Sequence, residues 1–288
     1  MYNMLISAEE LRHLRDHPNG SASRLVIFDC SFELMKPQVA DTLFAEVHIA
    51  GAQHAHLDRD LSAQDPALAV NGGRHPLPRR EVVAEWLGRM GVDNSTQVVV
   101  YDRNGCNYCG RLWWMLKWLG HEAVAVLDGG LQAWQAAGGA TESGPAPATQ
   151  ARSFELRAPL RQLVTTDTVV AQLGRPVQTL VDARGAPRYR GDVEPLDPVA
   201  GHIPGAVFAH LDRDLSDKGV VGSDGVRRPH PDAASGGRHP LPSRENFAAW
   251  LSRVGLANDM QAVVYDRQGA NYCGRLWWML KWLGHANV

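Results

Sequence analysis

Four cysteines, Cys30, Cys106, Cys109 and Cys273, are the side chains of this 288-residue chain best suited to covalent chemistry. Two of them form Cys106-Asn107-Tyr108-Cys109, placed where a short apolar run gives way to a helical pattern. A thiol pair with that spacing at a helix N-terminus suits dithiol redox chemistry, because helix N-termini favour thiolates. A structural zinc site needs four ligands, and no second cysteine pair exists to supply them. Cys30 follows Asp29 at a strand end and reads as a small, partly buried residue. His75 and His239 stand in Gly-rich loops before proline, where a turn or hydrogen-bonding role is expected. Trp113-Trp114 and Trp277-Trp278, with Trp118 and Trp282, lie at helical spacing among Leu and Met and read as core.

The elements that must position these residues are written twice. Val100 to His121 recurs as Val264 to His285, and only Asn104 against Gln268 and Cys106 against Ala270 differ. The Gly72 to Pro78 run (GGRHPLP) recurs from Gly236, and Ala55 to Ser62 (AHLDRDLS) recurs from Ala209. His48-Ile49-Ala50-Gly51-Ala52 is answered by His202-Ile203-Pro204-Gly205-Ala206. The spacing between copies changes along the chain, which places an insertion within Asp217 to Ser235; its Gly, Asp, Pro and Arg content predicts a surface loop. Small, polar and Pro-rich residues from Ala137 to Arg152 predict a linker. We expect domains over 1–140 and 161–288 with 141–160 between them.

Within the first copy, Ser7 precedes Glu10 in a capping-box pattern. Strands are expected at 25–28, 97–101 and 124–127, and helices at 81–90, 108–119 and 131–136. The second copy predicts helices near 167–173, at 243–254 and at 272–283, with strands at 179–181 and 262–265. Strands alternating with helices imply parallel sheets covered on both faces. Compared with the first copy, the second stops short of its last strand and helix, so the expected second domain is less stable or completed by another chain.

Composition narrows the partners. With 29 Lys plus Arg against 31 Asp plus Glu, nothing pulls the chain in bulk toward nucleic acid or an anionic membrane. The longest apolar runs fall far below the ~20 residues of a membrane span, and the N-terminus lacks a secretory pattern, so a cytoplasmic location with free thiols is expected.

Several runs together resemble the rhodanese family of thiosulfate and 3-mercaptopyruvate sulfurtransferases in its two-domain form. They are Asp182-Ala183-Arg184 followed by Arg188-Tyr189-Arg190-Gly191, then Gly201 to Ala206, and Leu127-Asp128-Gly129-Gly130-Leu131-Gln132-Ala133-Trp134. The resemblance implies an α/β fold of two tandem rhodanese-like domains, each a five-stranded parallel sheet with helices on both faces, the second copy truncated at its C-terminus. It further implies a strand-end cysteine that takes sulfur from a small anionic donor as a persulfide and passes it to a thiophilic acceptor. No metal or organic cofactor is implied, no nucleic acid or membrane partner is expected, and the incomplete second domain suggests self-association. The matching substrate-side residues are Arg188, Arg190 and Arg267. Where the family places its nucleophile, however, this chain has Asp102 and Asp266, and a carboxylate cannot form a persulfide. From Thr165 to Ala206 the second half resembles the family's catalytic domain, and from Val207 to His285 it resembles the inactive first domain. Cys106, Cys109 and Cys273 then remain as thiol candidates for sulfur transfer. A non-catalytic binding module and a dithiol redox protein remain as alternatives.

Overall fold

A computed structural model of the chain describes residues 1–17, 24–195, 198–217, 219–221, 223, 227–228, 239–266 and 271–288. The chain forms two compact units, Met1–Gln162 and Leu163–Val288.

The first unit begins with β1 (Leu5–Ile6) and α1 (Ala8–Asp16), and the Ser7–Glu10 capping box is formed reciprocally. It continues through β2 (Leu25–Asp29), α2 (Val39–Glu46), β3 (His48–Ile49), β4 (Gln53–His54), α3 (Arg80–Arg89) and β5 (Gln97–Tyr101). The remaining elements are α4 (Cys109–Trp118), β6 (Val124–Leu127), α5 (Gly130–Ala136) and β7 (Thr141–Glu142). Five strands form one sheet in the order β1-β6-β5-β2-β4, every pairing parallel. β2 and β5 run in register from Leu25 beside Gln97 to Asp29 beside Tyr101. Their near-continuous apolar sequences are those of strands buried on both faces. Ile27, Val99, Tyr101, Ala125 and Leu127 pack on Leu11 of α1 and on Leu131 and Trp134 of α5. On α3, the Trp86 ring stands 5.4 Å from that of Phe28 in β2.

Residues after β7 run along this same unit. The Arg152 N–H donates to the Gly88 carbonyl at 2.8 Å, Arg157 N–H to Leu119, and buried Phe154 meets the His121 ring at 5.6 Å. Gly120 permits this approach: a Cβ there would lie 2.7 Å from the Ala158 carbonyl oxygen.

The second unit comprises α6 (Thr166–Gln172), β8 (Gln178–Asp182), α7 (Ala186–Arg190), β9 (Val207–Phe208), β10 (Val220–Val221) and β11 (Arg227–Arg228). It ends with α8 (Arg244–Arg253), β12 (Gln261–Tyr265) and α9 (Asn271–Leu283). Its parallel sheet has the order β12-β8-β9. This unit has three strands in its main sheet among the described residues, where the first has five. Beside β12, where β6 lies in the first unit, Asn287 accepts a single backbone bond from Ala262 at 2.8 Å. Where a surface loop is expected in place of an extra element, β10 and β11 pair antiparallel, Val220 opposite Arg228. Val181, Ala183, Phe247, Trp250, Leu276, Met279 and Leu280 belong to its core.

Among the described residues, no helix is long and apolar enough to cross a membrane, and no group of three metal-ligating side chains comes together.

Candidate active site at the strand-to-helix loops

The loop between β5 and α4 is organised by one carboxylate. Asp102, buried, follows the last residue of β5, and its Oδ1 accepts from the N–H groups of Asn104 and Cys106, both at 2.9 Å. Its Oδ2 accepts from Tyr108 at 2.8 Å and Cys109 at 3.0 Å. An anion at a helix N-terminus meets unsatisfied N–H groups and the positive end of the helix dipole. Here the side chain supplies that anion itself, so the cradle that could receive a bound anion is already filled. From the far side, the Leu131 N–H donates to the Asp102 carbonyl at 3.3 Å. Gly130 makes the approach possible, because a Cβ there would fall 2.1 Å from that carbonyl oxygen.

The thiols lie around this carboxylate with different exposures. Cys109 and Cys30 are buried, and Cys106 is half-buried. Cys106 also has φ of +63°, the only non-glycine residue in the left-handed region among the described residues, a conformation that costs ~1–2 kcal/mol for an L residue. The bond from its N–H to Asp102 helps hold it there. Burial pushes the Cys109 thiol well up, reinforced by the neighbouring Cys106 side chain and by the Asp102 charge. Burial pushes Cys30 up likewise, followed by the charges of Asp102 and Asp29. The expectation of a partly buried Cys30 gives way to a fully buried one, because its N–H is tied to the Tyr101 carbonyl at 2.8 Å beneath the loop.

Arg103, Tyr101, Arg111 and His75 complete the frame. Arg103 turns back to the end of β2, donating to Ser31 Oγ at 3.0 Å, Asp29 Oδ2 at 3.4 Å and the Val47 carbonyl at 2.7 Å. The Tyr101 hydroxyl accepts from the Ile49 N–H at 2.9 Å, and burial raises its pKa. Arg111, buried on α4, donates to the carbonyls of Leu61 at 2.8 Å and His75 at 2.9 Å. His75 in turn faces Asp58 at 3.0 Å, a hydrogen-bonding role in keeping with its loop.

The second unit repeats part of this design. Asp266 Oδ2 accepts from Tyr272 at 2.8 Å and Cys273 at 3.0 Å. Cys273 is buried, and burial, with the Asp266 charge next, raises its thiol. Arg275 reaches the Leu215 and His239 carbonyls, both at 2.8 Å. Arg267 lies outside the described residues. Arg188 forms a close pair with Glu194, at 2.7 Å and 3.2 Å, while Arg190 is exposed and pairs with Asp192 at 2.8 Å. Asp182 is held by Arg184 at 2.7 Å and by the Tyr265 hydroxyl at 2.9 Å. Cys106 and Cys109 thus come together in the first unit, whereas Cys273, Arg188 and Arg190 belong to the second.

This arrangement of parallel strands alternating with helices has relatives. The rhodanese-like domain family matches residues 7–137 and 165–288. The chain belongs to the rhodanese family. A rhodanese relative from Pseudomonas aeruginosa, a probable 3-mercaptopyruvate sulfurtransferase, is 41% identical over 222 residues, covering 77% of this chain and 73% of that protein. A putative thiosulfate sulfurtransferase, SseB, from Mycobacterium tuberculosis is 35% identical over 223 residues, covering 77% of this chain and 76% of its own. Among solved structures, the 3-mercaptopyruvate sulfotransferase SseA from Escherichia coli shares the rhodanese fold with a TM-score of 0.71 at 24% identity, covering 100% of this chain and 97% of that one.

Proposed function

We propose that the protein is a sulfurtransferase that moves sulfane sulfur from 3-mercaptopyruvate or thiosulfate to a thiophilic acceptor, with Cys106 as the sulfur carrier. The reading rests on one observation: of the four cysteines, Cys106 alone is not buried, and it stands on the strand-to-helix loop of a rhodanese domain. The relatives' names support the reaction class. The Cys106 thiolate attacks the donor's transferable sulfur and the bond from that sulfur to the rest of the donor breaks; sulfite leaves from thiosulfate, or the enolate of pyruvate leaves from 3-mercaptopyruvate and takes up a proton, and a persulfide remains on the loop. An acceptor nucleophile then takes the outer sulfur and restores the thiolate. Asp102 orders the loop through its four N–H bonds rather than reacting.

A second reading is a non-catalytic rhodanese module that binds an anion or a partner. Its specific support is that carboxylates occupy both strand ends, and its anion contact is Arg188, which engages a ligand by giving up a bond to Glu194. Incubating the protein with each donor, then measuring intact mass and mapping the modified peptide, separates the two. One added sulfur atom on Cys106 supports the transferase; an unmodified protein with both donors refutes it in favour of binding.

A further inference from the structure

The sulfur-carrier reading leaves a second thiol of the same loop without a task. Cys109 follows Cys106 by three residues and is buried in the first turn of α4. Both backbone N–H groups are bound to the same carboxylate, Cys106 to Oδ1 at 2.9 Å and Cys109 to Oδ2 at 3.0 Å, so one side chain fixes the two residues relative to each other. A half-exposed thiol beside a buried one is the arrangement in which the outer sulfur meets external reagents and the inner one reacts only with its neighbour.

We propose that Cys109 resolves a persulfide formed on Cys106, so that the first unit releases sulfide and closes a Cys106–Cys109 disulfide when no acceptor is present. This rests on the sulfur-carrier reading above. In the step, the Cys109 sulfur attacks the Cys106 sulfur, an S–S bond forms between them, and the bond from Cys106 to the outer sulfur breaks. The outer sulfur leaves as hydrosulfide and takes the Cys109 proton, giving hydrogen sulfide. The persulfide's outer sulfur ends reduced to sulfide and the dithiol ends oxidised to a disulfide, so no external oxidant enters; over the whole sequence with 3-mercaptopyruvate, the two electrons end on the carbon that becomes the methyl group of pyruvate. A low-molecular-weight thiol reductant returns the pair to the dithiol. Burial keeps Cys109 protonated and shielded, which sets the order of events: donor first at Cys106, Cys109 second, assisted by intramolecular proximity. The second copy keeps Cys273 at the place of Cys109 but has Ala270 at the place of Cys106, so resolution is confined to the first unit.

The test uses the full chain, reduced and then freed of small thiols, treated with 3-mercaptopyruvate without acceptor. Trapped sulfide and the non-reduced peptide map are read for the wild type, Cys109→Ser and Cys109→Ala, the serine variant guarding against a packing defect. The expected wild-type result is one sulfide per chain and a Cys106–Cys109 disulfide. In the variants sulfur stays on Cys106, and sulfide release falls by at least about 100-fold, a small part of the advantage open to a positioned intramolecular thiol. A wild-type protein that keeps sulfur on Cys106 while Cys109 remains free for alkylation after denaturation overturns the proposal and leaves the sulfur-carrier reading standing. If 3-mercaptopyruvate loads no protein, the sulfur-carrier reading fails. Sodium polysulfide, which delivers sulfane sulfur without a donor site, then decides resolution alone: the disulfide with Cys30 and Cys273 unmodified supports it, and a lasting Cys106 persulfide overturns it.

Discussion

Replacing Asp102 should unlock the loop that carries Cys106. Four backbone donors converge on its carboxylate, and those of Tyr108 and Cys109 are buried. A buried donor left unpaired costs about 1–3 kcal/mol, so Asp102→Ala loses about 2–6 kcal/mol from that pair alone. The Asn104 and Cys106 donors are half-buried and regain water at smaller cost. Asp102→Asn keeps one acceptor oxygen but turns an amide NH2 toward the remaining donors, and should lose roughly half as much. At about 2–4 °C per kcal/mol for a unit of this size, Asp102→Ala is expected to melt ~5–20 °C below wild type. Thermal unfolding by circular dichroism measures the total, and the alkylation rate of Cys109 in the native state reports the loop itself. Cys109 should become reactive in Asp102→Ala and partly so in Asp102→Asn. If both variants stay within about 1 kcal/mol of wild type and Cys109 stays protected, Asp102 is not what holds the loop, and the account of Cys106 and Cys109 as a fixed pair loses its footing.

Acid should destabilise the first unit through His121, where burial, opposed by bonds to the Thr96 and Ala123 backbone, pushes the pKa from 6.5 down to about 4. The unfolded chain then binds a proton that the folded one refuses, so stability present above pH ~6.5 falls by ~3 kcal/mol as the pH approaches ~4; His121→Gln should flatten a urea-stability profile over this window, and an unchanged profile refutes the assignment. Arg111→Lys should cost the first unit about 1–3 kcal/mol, because one ammonium cannot keep the bonds that the guanidinium makes to the Leu61 and His75 carbonyls. Unaltered urea unfolding would show that those carbonyls find other partners.

The long elements were legible because each carries its period. β5 as an unbroken apolar run, α4 with Trp and Leu at helical spacing, and the Ser7–Glu10 cap all stand where their patterns put them. The two-residue strands β1, β3, β4 and β7 had no such chance, since two residues show no alternation and are strands only by virtue of a neighbour. The same division holds in the candidate site. Asp102 and Asp266 could be placed at strand ends from sequence, but not the bonds that make Asp102 the centre of its loop. Arg103 gives no hint that it turns back to Asp29, and the pairing of Arg188 with Glu194 is a meeting across a turn with no spacing rule behind it. The left-handed backbone of Cys106 was equally hidden, because that conformation ordinarily announces itself as glycine.

The duplicated segment works as an internal comparison. Arg111 and Arg275 reach equivalent carbonyls, Leu61 with His75 and Leu215 with His239, so the repeated sequence rebuilds the same contacts in two surroundings. The Oδ2 atoms of Asp102 and Asp266 likewise accept from the same two positions of the following helix. These contacts are therefore properties of the segment, whichever unit holds it. What differs between the segments is confined to two positions, and only one of them changes chemistry: Cys106 becomes Ala270. The second unit thus retains the carboxylate at its strand end and a buried helix thiol while lacking the cysteine whose first-unit counterpart is half-exposed. A loop cysteine at the place of Cys106 is thus found in the first segment only, while the helix thiol of the second, Cys273, is buried and burial raises its pKa.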